Sequence, residues 1–322
     1  MVSKFIYTLF AVGGMLCLLI FNVDSDFYID METVAIEKYI DDSVSEILDK
    51  YPELDNVLTN ASIRIPIEDN MIPQGITYMN NNILITAYDG RNKSNSLVYV
   101  LDFKGNVINK VDLGNKSHVG GIVYESDNDL IWIPDDNGIL NAYNSEDFLV
   151  KQIVSPLYVF DDVSEGLRDF ENKNKNLIAF LTIKDNHIFI GNFSITEDIL
   201  VKEFEIVSSD EKVDLKYIRN FKVPAKTQGM TFVKKGDKEY LVLSNSYRRR
   251  SKSHIYVFDY NDDTDFYSID NAKSIILPPL LEQVVVKNNK IYALFESGAK
   301  KYNNAIDKIE FICELDIDKM LK

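Results

Sequence analysis

From residue 60 onward the chain alternates short apolar runs with polar turns. Ile83-Leu84-Ile85-Thr86, Leu97-Val98-Tyr99-Val100 and His187-Ile188-Phe189-Ile190 are rich in β-branched and aromatic residues, with Asn, Asp, Gly and Lys between them. This is the pattern of short strands joined by tight turns. A helical period appears only upstream, over residues 31–58, and briefly near 163–171. In the upstream stretch Val34, Tyr39, Ile40, Val44, Ile47, Leu48, Tyr51 and Leu54 recur at three- and four-residue spacing, with acidic residues opposite. It reads as a stalk or as a helix packed on the main domain.

The first residues follow a third pattern. Phe5 to Val23 is a run of 19 residues without a charge, preceded by Lys4 and followed by Asp24, Asp26 and Asp30. That length matches a membrane-spanning helix, and the flanking charges leave the bulk of the chain outside the cytoplasm. A cleaved signal peptide, giving a secreted protein, is the competing reading. The expected organisation is therefore a membrane anchor or signal segment over 1–24, a helical segment over 25–58 and the main domain over 59–322.

Within that domain the sequence repeats. Gln74-Gly75-Ile76-Thr77-Tyr78 matches Gln228-Gly229-Met230-Thr231-Phe232, and Ser94 to Asp102 matches Ser251 to Asp259 in the same order. Weaker copies begin at Gly120, Phe180 and Glu282. The starts, near 75, 120, 180, 229 and 282, lie 45 to 60 residues apart, the size of a propeller blade. The expected fold is an all-β propeller with five blades; six remain open because the 120-to-180 interval is long. Ser62-Ile63-Arg64-Ile65 precedes the first start and is expected to pair into the last blade, closing the ring and removing an exposed edge.

Charge narrows the partners. The net charge of −15, spread along the chain, disfavours nucleic acid and anionic headgroups. Cys17 lies inside the apolar run and Cys313 far from it, so neither a disulfide framework nor a CxxC metal site is expected. His118, His187 and His254 lack zinc-ligand spacing, and no metal ligand is nominated. Asp127-Asn128-Asp129 and Asp135-Asp136-Asn137-Gly138 invite a calcium reading but match β-turn chemistry better than a calcium loop. No cofactor is expected.

The QG[IM]T[YF] opening followed by SxSxxYVxD, with His118 to Ile122, Pro278 to Gln283 and Phe295 to Gly298, resembles extracytoplasmic bacterial propellers. It is broadly similar to the NHL and gluconolactonase-like group and to five-bladed glutaminyl-cyclase-type propellers. The resemblance spans roughly residues 60 to 315. It implies an architecture, carries no catalytic residue across, and leaves activity open, since propellers host both enzymes and binding modules.

The architecture also predicts a face. In a blade, the loop entering the inner strand and the loop between the second and third strands open at the same end of the channel. Gln74, His118, Gln228, Glu282 and Gln283 are then expected near the channel mouth. Tyr88, Arg91, Asp135, Tyr247, Arg248, Arg249, Arg250, Glu296 and Lys300 are expected around them. His118, Glu282 and Glu296 are the candidate acid–base groups. Gln74, Tyr88, Arg91, Gln228, Tyr247, Arg248, Arg249 and Gln283 are the candidate ligand-binding groups, with the arginines suited to a carboxylate or phosphate. Gly75, Gly121 and Gly229 read as packing positions at a crowded axis. The functional expectation is binding of a small molecule, glycan or envelope protein at the mouth. The alternatives are an extracytoplasmic hydrolase or cyclase-type transferase on the same face, and a structural role without a pocket.

Overall fold

The computed structural model describes residues 39–66, 68, 70–167, 177–209 and 212–322. The anchor or signal segment over 5–23 lies outside them. Among the described residues no helix is long and apolar enough to cross a membrane.

The described chain opens with two short helices, α1 (Asp42–Leu48) and α2 (Pro52–Val57), followed by strand β1 (Leu58–Arg64). The helical period read over 31–58 is thus broken. Pro52 lacks an N–H, and its ring disfavours helical backbone at Tyr51, so it ends one helix and starts the next. Asp41 caps α1 by accepting the Ser43 N–H at 3.0 Å. Val44, Ile47, Tyr51, Leu54 and Val57 bury their apolar sides in one core cluster with Val233, Val242, Ile275 and Leu281.

The remaining strands form sheets of four antiparallel strands. The first blade is β2 (Met71–Met79), β3 (Asn82–Asp89), β4 (Leu97–Asp102) and β5 (Val107–Asp112). The second is β6 (Val123–Glu125), β7 (Leu130–Pro134), β8 (Leu140–Asn144) and β9 (Tyr158–Phe160). The third is β10 (Phe180–Lys184), β11 (His187–Gly191), β12 (Ile199–Ser208) and β13 (Val213–Val223). The fourth is β14 (Thr227–Lys235), β15 (Lys238–Asn245), β16 (Ser253–Asp259) and β17 (Lys273–Leu277). The fifth is β18 (Leu281–Lys287), β19 (Lys290–Phe295) and β20 (Phe311–Asp316), completed on its outer side by β1.

The inner strands β2, β6, β10, β14 and β18 are neighbours in turn, and β18 returns to β2. The protein is a five-bladed β-propeller. The interval from 120 to 180 holds one blade and a connecting segment, not a sixth blade. The ring closes as the apolar pattern predicts: β1 pairs antiparallel with β20, Ile63 opposite Ile312 and Arg64 opposite Phe311. The brief helical period near 163–171 is a turn over 161–166, and its remainder lies outside the described residues.

Every position of β2 is buried. Its alternation is lost because both faces of an inner strand meet protein, one blade on each side. The glycines of the repeat sit where inner strands crowd together. A Cβ on Gly75 would lie 2.8 Å from the Gly121 carbonyl carbon and 2.8 Å from the Ile122 nitrogen. A Cβ on Gly229 would lie 2.8 Å from the Gln283 Cα.

Candidate functional site

Three inner strands share an irregularity near their first residues. The β2–β3 register shifts between Pro73 and Gly75, the β14–β15 register between Thr227 and Gly229, and the β18–β19 register between Leu281 and Val284. Each is a β-bulge, one extra residue that breaks the alternation and re-aims a side chain. The residues so displaced are Gln74, Gln228 and the Glu282-Gln283 pair. Gln74, Gln228 and Glu282 line a cavity of about 540 Å³ at one mouth of the channel. All five blades contribute to its wall.

Of the residues nominated from sequence, Gln74, Tyr88, His118, Asp135, Gln228, Tyr247, Arg248, Arg249, Glu282 and Glu296 line this cavity. Arg91, Gln283, Arg250 and Lys300 do not. Arg91 is exposed in the β3–β4 turn, where its backbone N–H donates to Asp89 at 2.9 Å. Gln283 lies beneath the cavity as a pin between blades. Its Oε1 accepts from the Ile76 N–H at 2.9 Å and the Ile122 N–H at 3.2 Å, while its Nε2 donates to the Ile122 carbonyl at 3.0 Å. Both its polar ends are consumed by backbone, so its role is packing and not ligand contact. In place of Lys300 the cavity takes Lys301 and Tyr302. A 3-10 turn over Lys300–Tyr302 rotates successive side chains by a third of a circle and turns Lys300 away.

The deepest polar groups are acidic. Glu282, Glu296 and Gln74 are all buried. The two carboxyls hydrogen-bond each other, and the Tyr302 hydroxyl donates to Glu296. Gln74 Nε2 donates to Glu296 Oε2 at 3.1 Å and to the Pro73 carbonyl at 2.8 Å. Burial is the main force on both acids. It raises Glu282 well above the carboxylate range, with the Glu296 charge adding to the effect, and pushes Glu296 up to about 7. Tyr302, Lys301 and Gln74 pull Glu296 back down. The pair therefore titrates as a unit and holds a proton near neutral pH.

On the wall, the His118 ring packs against Tyr88 with centroids 4.3 Å apart, and the His118 backbone N–H donates to Asp136 at 2.6 Å. The His118 side chain is exposed toward the open cavity, with protein packed around its sides. That crowding pushes it down to about 4, against the pull of Asp136. Water reaching the open surface softens the shift without reversing its direction, and the ring is neutral at pH 7. Burial also raises Tyr88, with Glu296, Glu282 and Asp136 adding to it, so its hydroxyl stays protonated. Val119, next to His118, has φ of 50°, a left-handed conformation that a β-branched residue adopts at a cost.

The lip is cationic. Lys301 Nζ donates to the Tyr88 hydroxyl at 2.9 Å and lies 5.3 Å from the Tyr302 ring centre. Arg249 sits 5.1 Å over Tyr302 and donates to Asn304 at 2.8 Å. Arg248 sits 5.1 Å over Tyr247. None of the three forms an ion pair with a carboxylate of the described residues.

The acidic turns are turns. Asp135 Oδ1 accepts the Asn137 N–H at 2.8 Å and the Ile139 N–H at 3.1 Å. Glu125 organises the Asp127 turn in the same way, accepting the Asp127 N–H at 2.8 Å and the Asn128 N–H at 2.9 Å. Among the described residues no group of three or more His, Cys, Asp or Glu is placed to hold a metal.

Asp136, Phe193, Ser246, Lys301 and Tyr302 line the cavity without having been nominated from sequence. Ser246 adjoins the Tyr247-Arg248-Arg249 stretch, and Tyr302 lies just past the Phe295-Glu296-Ser297-Gly298 stretch, so proximity to motifs was the available signal. Phe193 had none.

No family model matches the chain, and no curated protein matches it. Among solved structures, the β-propeller domain of Cps50 (Swd1) of Myceliophteria thermophila is 9% identical, with a TM-score of 0.41 over 76% of this chain and 82% of that one. The computationally designed Ika8 protein is 12% identical, with a TM-score of 0.34 over 74% of this chain and 72% of that one. A chain of the mitotic checkpoint complex is 9% identical, with a TM-score of 0.35 over 75% and 60%. Likenesses this distant carry no function across, and the propeller assignment rests on the chain's own sheet order and ring closure.

Proposed function

We propose that this protein is a membrane-anchored extracytoplasmic propeller that binds a small polar ligand at its channel mouth. The observation that carries the reading is a cavity of about 540 Å³ into which all five blades direct side chains. Its size falls in the range of small-molecule sites, and it combines aromatic walls with a few converging polar groups. A purely structural propeller has no need of three inner-strand bulges that each turn a polar side chain toward one space. The uncharged run over 5–23 and its flanking charges support the anchor, and the resemblance to NHL, gluconolactonase-like and glutaminyl-cyclase-type propellers supports an extracytoplasmic setting.

A second reading has a specific observation behind it. Glu296, held near pH 7 beside a protonated Glu282, is poised to move a proton at neutral pH, as a hydrolase or cyclase-type transferase requires. The two carboxyls touch each other, which is too close for the water-spaced or nucleophile-spaced pairs of glycoside hydrolysis. Proton-sharing acid chemistry is the form this reading takes.

Crystals soaked in small glycans, sugar acids, amino acids and phosphates test both. Density against Tyr88, Gln228 or Glu282 supports binding, and a cleaved or cyclised product in that density favours the enzyme. A cavity that remains water-filled with every compound contradicts both.

A further inference from the structure

The site described above is polarised. Its floor is a buried pair of carboxyls, and its lip holds three cations, none in an ion pair within the described chain. Tyr302 spans the two poles: its hydroxyl donates to Glu296 while Arg249 lies 5.1 Å over its ring. The distance between poles is thus about that of one tyrosine side chain, the scale of a single small molecule.

Each pole is incomplete in a way that names its complement. Glu282 and Glu296 have neutral hydrogen-bond partners, and the nearest base, Lys301, is already directed to the Tyr88 hydroxyl at 2.9 Å. Two desolvated carboxyls that Lys301 influences but does not pair with in a salt bridge accept either a proton or a cation between them. At the lip, Arg248 and Arg249 stack on tyrosines, which orients their planar forks, and they meet no carboxylate. Oriented, unpaired guanidinium groups beside a cavity suit a carboxylate. His118 and the aromatic side chains of Tyr88, Tyr247 and Phe193 line the wall between the poles, with Asp135 and Asp136 beside them.

On the reading that this cavity binds a small ligand, we propose that the ligand is a zwitterion of amino-acid or short-peptide size. Its ammonium group lies on Glu282 and Glu296, and its carboxylate lies on Arg248, Arg249 and Lys301. The ammonium takes the place of the proton that the acid pair holds when the cavity is empty. Binding near pH 7 therefore releases a proton to solvent. The other groups facing the pair are Lys301 and the tyrosines Tyr88 and Tyr302, whose hydroxyls burial raises and so keeps protonated at this pH. Asp135, Asp136 and His118 stand on the wall.

The test is calorimetry on the full chain in detergent, with the twenty L-amino acids, a set of dipeptides, their N-acetyl and C-amide forms, and polyhydroxy sugar acids as probes. Each is measured at pH 7 in two buffers of different ionisation enthalpy. The expected result is binding of at least one free zwitterion, weakened by about tenfold or more when either end is capped. The observed heat should depend on the buffer, reporting up to one proton released. Glu282→Gln with Glu296→Gln should abolish the buffer dependence, while Arg248→Ala with Arg249→Ala should weaken binding and leave it intact. Should the acid-pair variant fail to fold, the two-buffer result on the unaltered chain stands as the test. Equal affinity for an N-acetyl form, or release of no proton, overturns the proposal. Sugar acids binding where amino acids do not overturns the zwitterion and leaves the binding site in place. No binding by any class overturns the site as well.

Discussion

At the residue scale the chemistry concentrates on two carboxyls and a set of bulges. Glu282 and Glu296 both have folded pKa values above their unfolded ones, so the folded chain retains a proton that the unfolded chain releases. For Glu296 the stabilising contribution is full below about 4.5 and is lost as pH rises through about 7, and Glu282, raised well above its ordinary range, adds a loss of the same sign. Urea unfolding at pH 5 and pH 7.5 should differ by on the order of 2 kcal/mol from Glu296 alone, with Glu282 adding in the same direction. Glu282→Gln should flatten that dependence by removing the proton that Glu282 itself retains in the folded chain. An unchanged dependence in the variant would contradict the shared proton. Gly75→Ala is the structural counterpart: its Cβ meets backbone at 2.8 Å, and the strain should cost about 1–3 kcal/mol in the same assay. Gln74, Gln228 and Glu282 were legible from sequence because the QG opening repeats and marks the entry of an inner strand. Gln283 shares the bulge with Glu282 but turns inward to backbone, a choice that adjacent residues in one motif do not reveal. Lys301 was read as Lys300 because a single 3-10 turn has no period to mark its facing side.

At the element scale the account rests on closure by β1 and on the two helices before it. The apolar pattern of Ser62 to Ile65 was enough to foresee the pairing with β20, because a strand left before the first blade has one edge to fill. Removing residues 39–64 should leave β20 as an open edge and expose the cluster that α1 and α2 cover. The truncated chain should form oligomers by size exclusion and melt at lower temperature than the full chain; a monomer of undiminished melting temperature would contradict this role. Leu54 on α2 is fully buried, and Leu54→Ala should cost about 2–5 kcal/mol. The break between α1 and α2 was hidden by the apolar spacing, which runs through Pro52 without interruption, whereas the backbone cannot.

At the scale of the whole molecule, spacing of the repeat gave five blades, and the ring of inner strands leaves one cavity with contributions from every blade. That convergence of distant sequence on one space is the main ground for a binding role. The most direct measurement is a thermal-shift screen of amino acids, short peptides, glycans, sugar acids and phosphates. It should be run on the full chain and on Gln228→Trp, which fills the cavity from blade four. The account predicts that at least one compound raises the melting temperature of the unaltered chain and that the blocked chain, folded by its own melting transition, loses that response. A screen without any response, or a response that survives the blocked mouth, would contradict the cavity as the functional site.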